Sequence, residues 1–469
     1  MAEPRPRQRK FAPRSRQGCL TCRVRRKRCD GQRPDCQNCT RLNVKCEWQT
    51  QRQIVTETST RSATPASESA MCTLRRSVDP WSAFTGDEGN EKRHLLSYYI
   101  DAYVPSISVA TTPSSFYTRL YIPMALESEG VLDAVIALSS AQLARRTANP
   151  DRAQHLRNLS SQHQVKCHAF LRGRISPIGQ PVMDVYQVIA VTLLLVGLEA
   201  LNGTKSTRWL AQLQSVRRIL NSMYSENDFL NSWEIESLRR HFTYHDVMAS
   251  VMTSVSRTNP LSLNERDPWH FQIPPTAMLT TVDPLMGISY YLYSLICRIQ
   301  YVTTPTPAFP QISEAAFAAT EREIQEWKYE SPFSFENIDM PIALDLIALA
   351  ESCRIAALIQ LYRSSEAHRL LVPGLASRAW QFISRIPPGS PADSSLLYPI
   401  FLAGSELESE EEITKCSQRL KAIQERNRYE NVGDVQTVLR EVWRPVLNGE
   451  KRRDWEDVLK EWGWFISLS

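Results

Sequence analysis

Cys19, Cys22, Cys29, Cys36, Cys39 and Cys46 form a repeat: Cys-x2-Cys-x6-Cys occurs twice, the two copies joined by six residues. They are six of the chain's 11 cysteines. The other five, Cys72, Cys167, Cys297, Cys353 and Cys416, are scattered at no ligand-like spacing. In a reducing compartment such a dense cluster reads as metal binding before disulfides. Zinc takes four thiolates in a tetrahedron at about 2.3 Å. A single zinc on Cys19, Cys22, Cys36 and Cys39 would leave Cys29 and Cys46 idle at equivalent positions of the repeat. Two zincs need eight coordination bonds, and six thiolates supply them only if two bridge. The repeat nominates the first cysteine of each half, Cys19 and Cys36. One zinc then takes Cys19, Cys22, Cys29 and Cys36, and the other takes Cys36, Cys39, Cys46 and Cys19.

Basic residues crowd this cluster. Arg23, Arg25, Arg26, Lys27, Arg28, Arg33, Arg41 and Lys45 stand between the first and last cysteine against Asp30 and Asp35, a net of +6. Two zinc ions and six thiolates carry −2, so about +4 remains on a module of fewer than 30 residues, too small for much of a core. Metal binding itself is expected to supply its folding free energy. The helix expected to start near Cys22 has an exposed face almost wholly of Arg and Lys. That surface suits a polyanion.

The segment CLTCRVRRKRCDGQRPDCQNCTRLNVKCEW resembles the fungal Zn2Cys6 binuclear-cluster family of transcription regulators. All the cysteine spacings agree, and Asp30-Gly31…Arg33-Pro34-Asp35-Cys36 is similar to the family's proline-containing turn. The resemblance implies two zinc ions per chain, double-stranded DNA as partner and the nucleus as location. It also implies that the helix enters the major groove, where Arg and Lys donate to guanine O6 and N7. Arg25 and Arg26 fall where family members contact a CGG triplet, although the position of Arg26 is more often Lys. Arg23, Lys27 and Arg28 are expected to grip phosphate, fixing register without reading sequence.

Three further segments position this module. Residues 1–17 hold Arg5, Arg7, Arg9, Lys10, Arg14 and Arg16 interleaved with Pro4, Pro6 and Pro13, which forbid a regular helix. This arm is expected to be disordered and to add phosphate affinity or serve in nuclear import, with a merely solvated tail as the alternative. The cluster module spans 18–48. From 49 to 90 the chain is Ser/Thr-rich, as in TETSTRSATPASESA, and reads as a flexible linker in which Trp81 and Phe84 are the first candidates to dock on the next domain. No a/d heptad follows the cluster, so no coiled coil is expected to fix a homodimer.

From 91 to 469 helical periodicity dominates and no alternating strand pattern competes. Helices are expected over 92–104, 129–147, 153–172, 183–201, 207–224, 235–255, 285–302, 313–327, 342–363, 413–426 and 435–443. Trp209, Leu213, Val216 and Leu220 mark one apolar face. The fold class is therefore all-α: a small zinc-cluster module, a linker and a large helical body. Segments including LLSYYIDAYVPSIS, FTYHDVMASV, DPLMGIS and YPIFLAGSE resemble the helical fungal-specific transcription-factor domain of the acriflavine-sensitivity and sterol-uptake regulators. That resemblance implies a regulatory body open to a small-molecule effector, co-regulators or the transcription machinery.

Charge follows the same division. The 469 residues carry a net +5, yet the first 50 hold 14 Lys/Arg against 4 Asp/Glu, so the remainder is mildly acidic. The longest apolar run, 188–198, reads as a buried helix rather than a membrane span, and the Arg/Pro-rich start has no apolar signal region, so a soluble intracellular protein is expected. Three other groupings invite chemistry and are read as structural. His241, His245 and Asp246 share a helix without a third ligand nearby in sequence. His163, Cys167 and His168 are read as a helix face. The acidic run 406–412 is read as a helix start rather than an activation segment. No G-x-S-x-G, Walker A, dinucleotide fingerprint or H-E-x-x-H is present, so no enzyme is expected. The alternative function is a zinc-stabilised protein-interaction cofactor without DNA binding, which would want acidic or apolar residues where Cys22–Cys29 carries Arg and Lys.

Overall fold

A computed structural model describes residues 19, 29–33, 36–40, 84–110, 115–174, 185–224, 233–254, 282–303, 313–329, 331–332 and 338–469. The chain divides into two compact units, residues 1–75 and 76–469. Among the described residues the second unit is all-α. Its only strand-like pairing is an isolated bridge between Asp283 and Gly287. Helices of seven residues or more are numbered from the start of this unit.

The opening helix, α1 (Gly86–Tyr98), begins just after Phe84, which packs against the core. The sequence predicts one helix across 92–104. Instead α1 passes into a π-helical turn, Tyr99–Tyr103, before a last α-turn, Val104–Ile107. The π turn brings Tyr99 and Tyr103 into a buried stack with ring centroids 5.2 Å apart. Then come α2 (Tyr121–Glu127), α3 (Glu129–Arg146), α4 (Pro150–Arg172) and α5 (Val185–Asn202). Asn149 caps α4 by accepting from Arg152 N at 3.0 Å, and Pro150 occupies its first turn.

By length and composition α5 could cross a membrane, but 72% of its apolar window is buried inside the helical body, as a core helix requires. It packs against α3, α6 (Arg208–Tyr224), α7 (Trp233–Ser250) and α14 (Glu430–Trp443). On α6 the predicted stripe of Trp209, Leu213, Val216 and Leu220 is buried. The helix expected from 285 starts later, as α8 (Tyr290–Thr303). Pro284 and Gly287 (φ +62°) instead fold 283–287 into a tight turn. Its ends exchange hydrogen bonds at 3.1 and 3.0 Å, and Asp283 Oδ1 accepts from Leu285 N and Met286 N at 2.9 Å.

The rest comprises α9 (Glu314–Glu326), α10 (Met340–Arg363), α11 (Val372–Ile383), α12 (Leu397–Gly404), α13 (Glu410–Asn427), α14 and α15 (Trp455–Trp462). The first turn of α10 is exposed at Met340 and Leu344, and the helix is enclosed further along, with Ile355, Ala356, Ala357 and Ile359 buried. The acidic run opens α13 as expected, with Glu410, Glu411 and Glu412 in its first turn. Glu406 is buried apart from them and pairs with Arg363 and Arg452. Helices α2, α11, α12 and α15 were not anticipated. They are short, and the prolines of α2, α11 and α12 lie in their first turns, where a helix tolerates them.

Candidate metal centre

In the first unit the described residues are few but include four of the six repeated cysteines. Cys19, Cys36 and Cys39 are fully buried, and among the described residues of this unit the partly buried Cys29 packs against them. Cys19 Sγ lies 3.7 Å from Cys36 Sγ and 3.8 Å from Cys39 Sγ. These separations are too long for a disulfide bond of about 2.05 Å. They match the edge of a tetrahedron of sulfurs around zinc, about 3.8 Å for bonds of about 2.3 Å. A second group, Cys29, Asp30 and Cys36, shares Cys36 with the first. Among the described residues, these are the only groups of three or more Cys, His, Asp or Glu whose ligand atoms converge.

The backbone is arranged for thiolates. Cys29 Sγ accepts from Cys19 N and Gly31 N, and Cys36 Sγ accepts from Cys39 N, each at 3.4 Å. Such N–H donors stabilise negative sulfur and orient it toward a metal. A short helix, Gln37–Thr40, starts at Cys36, and Asp30 Oδ2 accepts from Gln37 N at 3.1 Å. That bond ties the end of the first repeat to the start of the second, a role for Asp30 that spacing alone did not suggest. Gly31 turns the loop between them at φ +78°. The donor set therefore fits zinc. Cys22, Cys46, Arg23, Arg25, Arg26, Lys27 and Arg28 lie outside the described residues, as do the arm and Trp81.

The histidine groupings resolve as packing. His241 sits among tyrosines: its Nδ1 is 2.5 Å from Tyr121 Oη, and its Nε2 is 3.3 Å from Tyr117 Oη and 3.1 Å from His245 Nε2. Asp246 accepts from Arg217 at 2.5 Å. His163 Nδ1 pairs with Asp133 at 2.6 Å, and the buried Cys167 thiol donates to Gly130 O at 3.8 Å. Burial pushes that thiol up to about 12, with the Asp133 carboxylate adding to it, so it is inert as a nucleophile near neutrality. His168 lines a surface groove with Arg208 and Gln212.

Comparison with known proteins agrees with this geometry. Residues 94–469 match the family described as fungal specific transcription factor domain, and residues 17–54 match the fungal Zn(2)-Cys(6) binuclear cluster domain. The chain is 21% identical to the transcriptional activator protein UGA3 of Saccharomyces cerevisiae, over 97% of its own length and 98% of the relative's. Over 35 residues it is 63% identical to the zinc cluster transcription factor CZF1 of Candida albicans, covering 8% of this chain and 9% of that one. Over 38 residues it is 55% identical to the sterol uptake control protein 2 of the same organism, covering 8% and 5%. No solved structure matches the chain.

Proposed function

The chain belongs to the family of the fungal specific transcription factor domain, a zinc-binding DNA-binding regulator and not an enzyme, and on that premise we propose that it acts in the nucleus by reading CGG-like triplets. The observation that carries the reading is the buried trio Cys19, Cys36 and Cys39, at zinc-like sulfur spacing, in the most basic part of the chain. Zinc, when bound, supplies the folding free energy of a unit with little core. Two zincs per chain are held by Cys19, Cys22, Cys29, Cys36, Cys39 and Cys46, with Cys19 and Cys36 bridging. Support comes from Cys36 belonging to both converging groups.

On this reading Arg25 and Arg26 donate to guanine in the major groove, while Arg23, Lys27 and Arg28 hold phosphates. The helical body is the regulatory part, open to an effector or co-regulators and serving a pathway-specific set of genes. The relative that aligns along nearly its whole length is named an activator, and we propose activation here too. Selection from random duplexes by the zinc-loaded full chain tests the reading. Enrichment of a CGG-like triplet is expected. Recovery of no motif from the zinc-loaded protein would sink the assignment in favour of an interaction cofactor.

A further inference from the structure

Helices α4 and α6 both pack on α5, and an open groove of about 580 Å³ lies between them. Each side of it is one row of a helix. Gln164, His168 and Leu171 come from α4, and Arg208, Ala211 and Ser215 from α6. Steps of three and four residues put these side chains on one face of each helix. Two such rows with a gap between them are a shape that a third helix fills.

The groove is basic, although the chain beyond residue 50 is net acidic. Asp151, in the first turn, is the one acidic residue of α4, and α6 has none. Arg208 reaches Glu199 on α5 with Nη1 at 3.5 Å, and its side chain is still 64% exposed. The helical repeat carries the same rows on to Arg157 and Arg172 on α4 and to Arg218 on α6, all three exposed. Burial, Arg208 and Arg172 outweigh Glu199 and hold the His168 imidazole below its ordinary value, so it is neutral among these cations near neutrality.

Apolar side chains complete the groove. Val165, Leu171 and Ala211 line it, and Val165 is 64% exposed, with most of its surface uncovered. A DNA duplex would offer phosphates to the arginines and nothing to these apolar groups. A helix with carboxylates beside an apolar face satisfies both.

We propose that the groove between α4 and α6 docks an acidic amphipathic helix of a co-regulator. Its apolar residues cover Val165, Leu171 and Ala211, and its carboxylates meet Arg172, Arg208 and Arg218. The inference rests on the regulatory reading of the helical body and names the chemistry of its partner. The probe is a labelled synthetic helix with leucines at i, i+3, i+4 and i+7 and glutamates between them. Fluorescence anisotropy follows its binding to the zinc-loaded full chain. One comparison peptide has the same residues shuffled so that no apolar face forms, and another has lysine in place of each glutamate. The basic N-terminal arm attracts any acidic peptide, and the shuffled one measures that background. The glutamate helix should bind saturably and about tenfold tighter than the shuffled peptide, and the lysine helix should not bind. Val165→Asp sets a carboxylate among the apolar groups, and the double variant Arg172→Glu, Arg218→Glu reverses the rim. Each should weaken binding about tenfold, since like charges then face each other. Lys421→Glu, an exposed charge reversal on α13, should leave binding unchanged. All four side chains are exposed, and helical circular dichroism checks that each variant keeps its fold. Equal affinity for the shuffled peptide, binding of the lysine helix, full affinity in either groove variant, or an equal loss in Lys421→Glu would each overturn the proposal. Peptide anisotropy does not read DNA sequence, so failure of this docking and failure of the triplet assignment are separate results.

Discussion

Cys36 contributes its sulfur to both converging groups of the N-terminal unit, whereas Cys46 belongs to one zinc only in the bridged arrangement. Cys36→Ala is therefore expected to lose both metals, and Cys46→Ala to retain one. Zinc content and free-thiol titration of the purified variants decide this. One zinc with two free thiols in the wild type would remove the bridges. Among the basic residues a second asymmetry arises from the group each one touches. Arg26→Ala should remove a base contact worth about 1–3 kcal/mol and relax preference at one guanine. Arg14→Ala should weaken all duplexes alike and reduce the slope of log K against log salt by about 0.9, since a phosphate contact releases the same counter-ions at every site. A selected motif that is unchanged by Arg26→Ala would mean that another residue reads the base.

Helix α15 docks through a compact ion network. Arg363, on α10, donates to both carboxylate oxygens of Asp454 at 2.7 and 2.8 Å and pairs with Glu406. Asp454 also caps α15 by accepting from Glu456 N at 2.9 Å. Burial raises the Asp454 carboxyl, but Arg363, the cap bond and Arg369 outweigh it and hold it below its ordinary value. A carboxyl lowered in the folded state stabilises above its unfolded pKa of about 3.9, and the contribution is lost as pH falls through the lower folded value. Docking of α15 should therefore weaken below about pH 4. Asp454→Asn keeps a capping side chain but loses the charge. It should cost about 2 kcal/mol at pH 7 and flatten the acid limb of the stability curve. Arg363→Met should cost less than the about 3–5 kcal/mol of a fully unpaired buried charge, because Arg452 still holds Glu406 and Arg369 still holds Asp454. Fluorescence of Trp455, Trp462 and Trp464 during urea unfolding across pH 3–7 measures both variants, and an acid limb unchanged in Asp454→Asn would refute the assignment.

The two units draw their stability from different sources. Among the described residues the zinc unit buries cysteine sulfurs, while the helical body buries side chains from its long helices. Chelation of the full chain should therefore abolish specific DNA binding while leaving the helical circular dichroism and its melting transition nearly unchanged. A shift of that transition by more than a few degrees would mean that the body depends on the metal. No a/d heptad run follows the cluster, so a single triplet, or two at loosely fixed spacing, is expected to suffice for binding.

The zinc centre and the helical class were legible in the sequence because both rest on local rules. Thiolate spacing along 28 residues sets which sulfurs can share a metal. A 3.6-residue period marks a helix face such as Trp209, Leu213, Val216 and Leu220 before any partner is known. The same period gave little sign of α11 and α12, which are short, and it ran through the π turn at Tyr99–Tyr103 without sign of one. What only the tertiary structure decided is the fate of polar groups far apart in the chain. His241 and His245 could be paired by their spacing on one helix, but nothing local joins them to Tyr121 or places Asn431 with them on one cavity. Such meetings depend on how helices pack across more than a hundred residues. Side-chain periodicity records which face of a helix is buried, and not which distant residue it meets there.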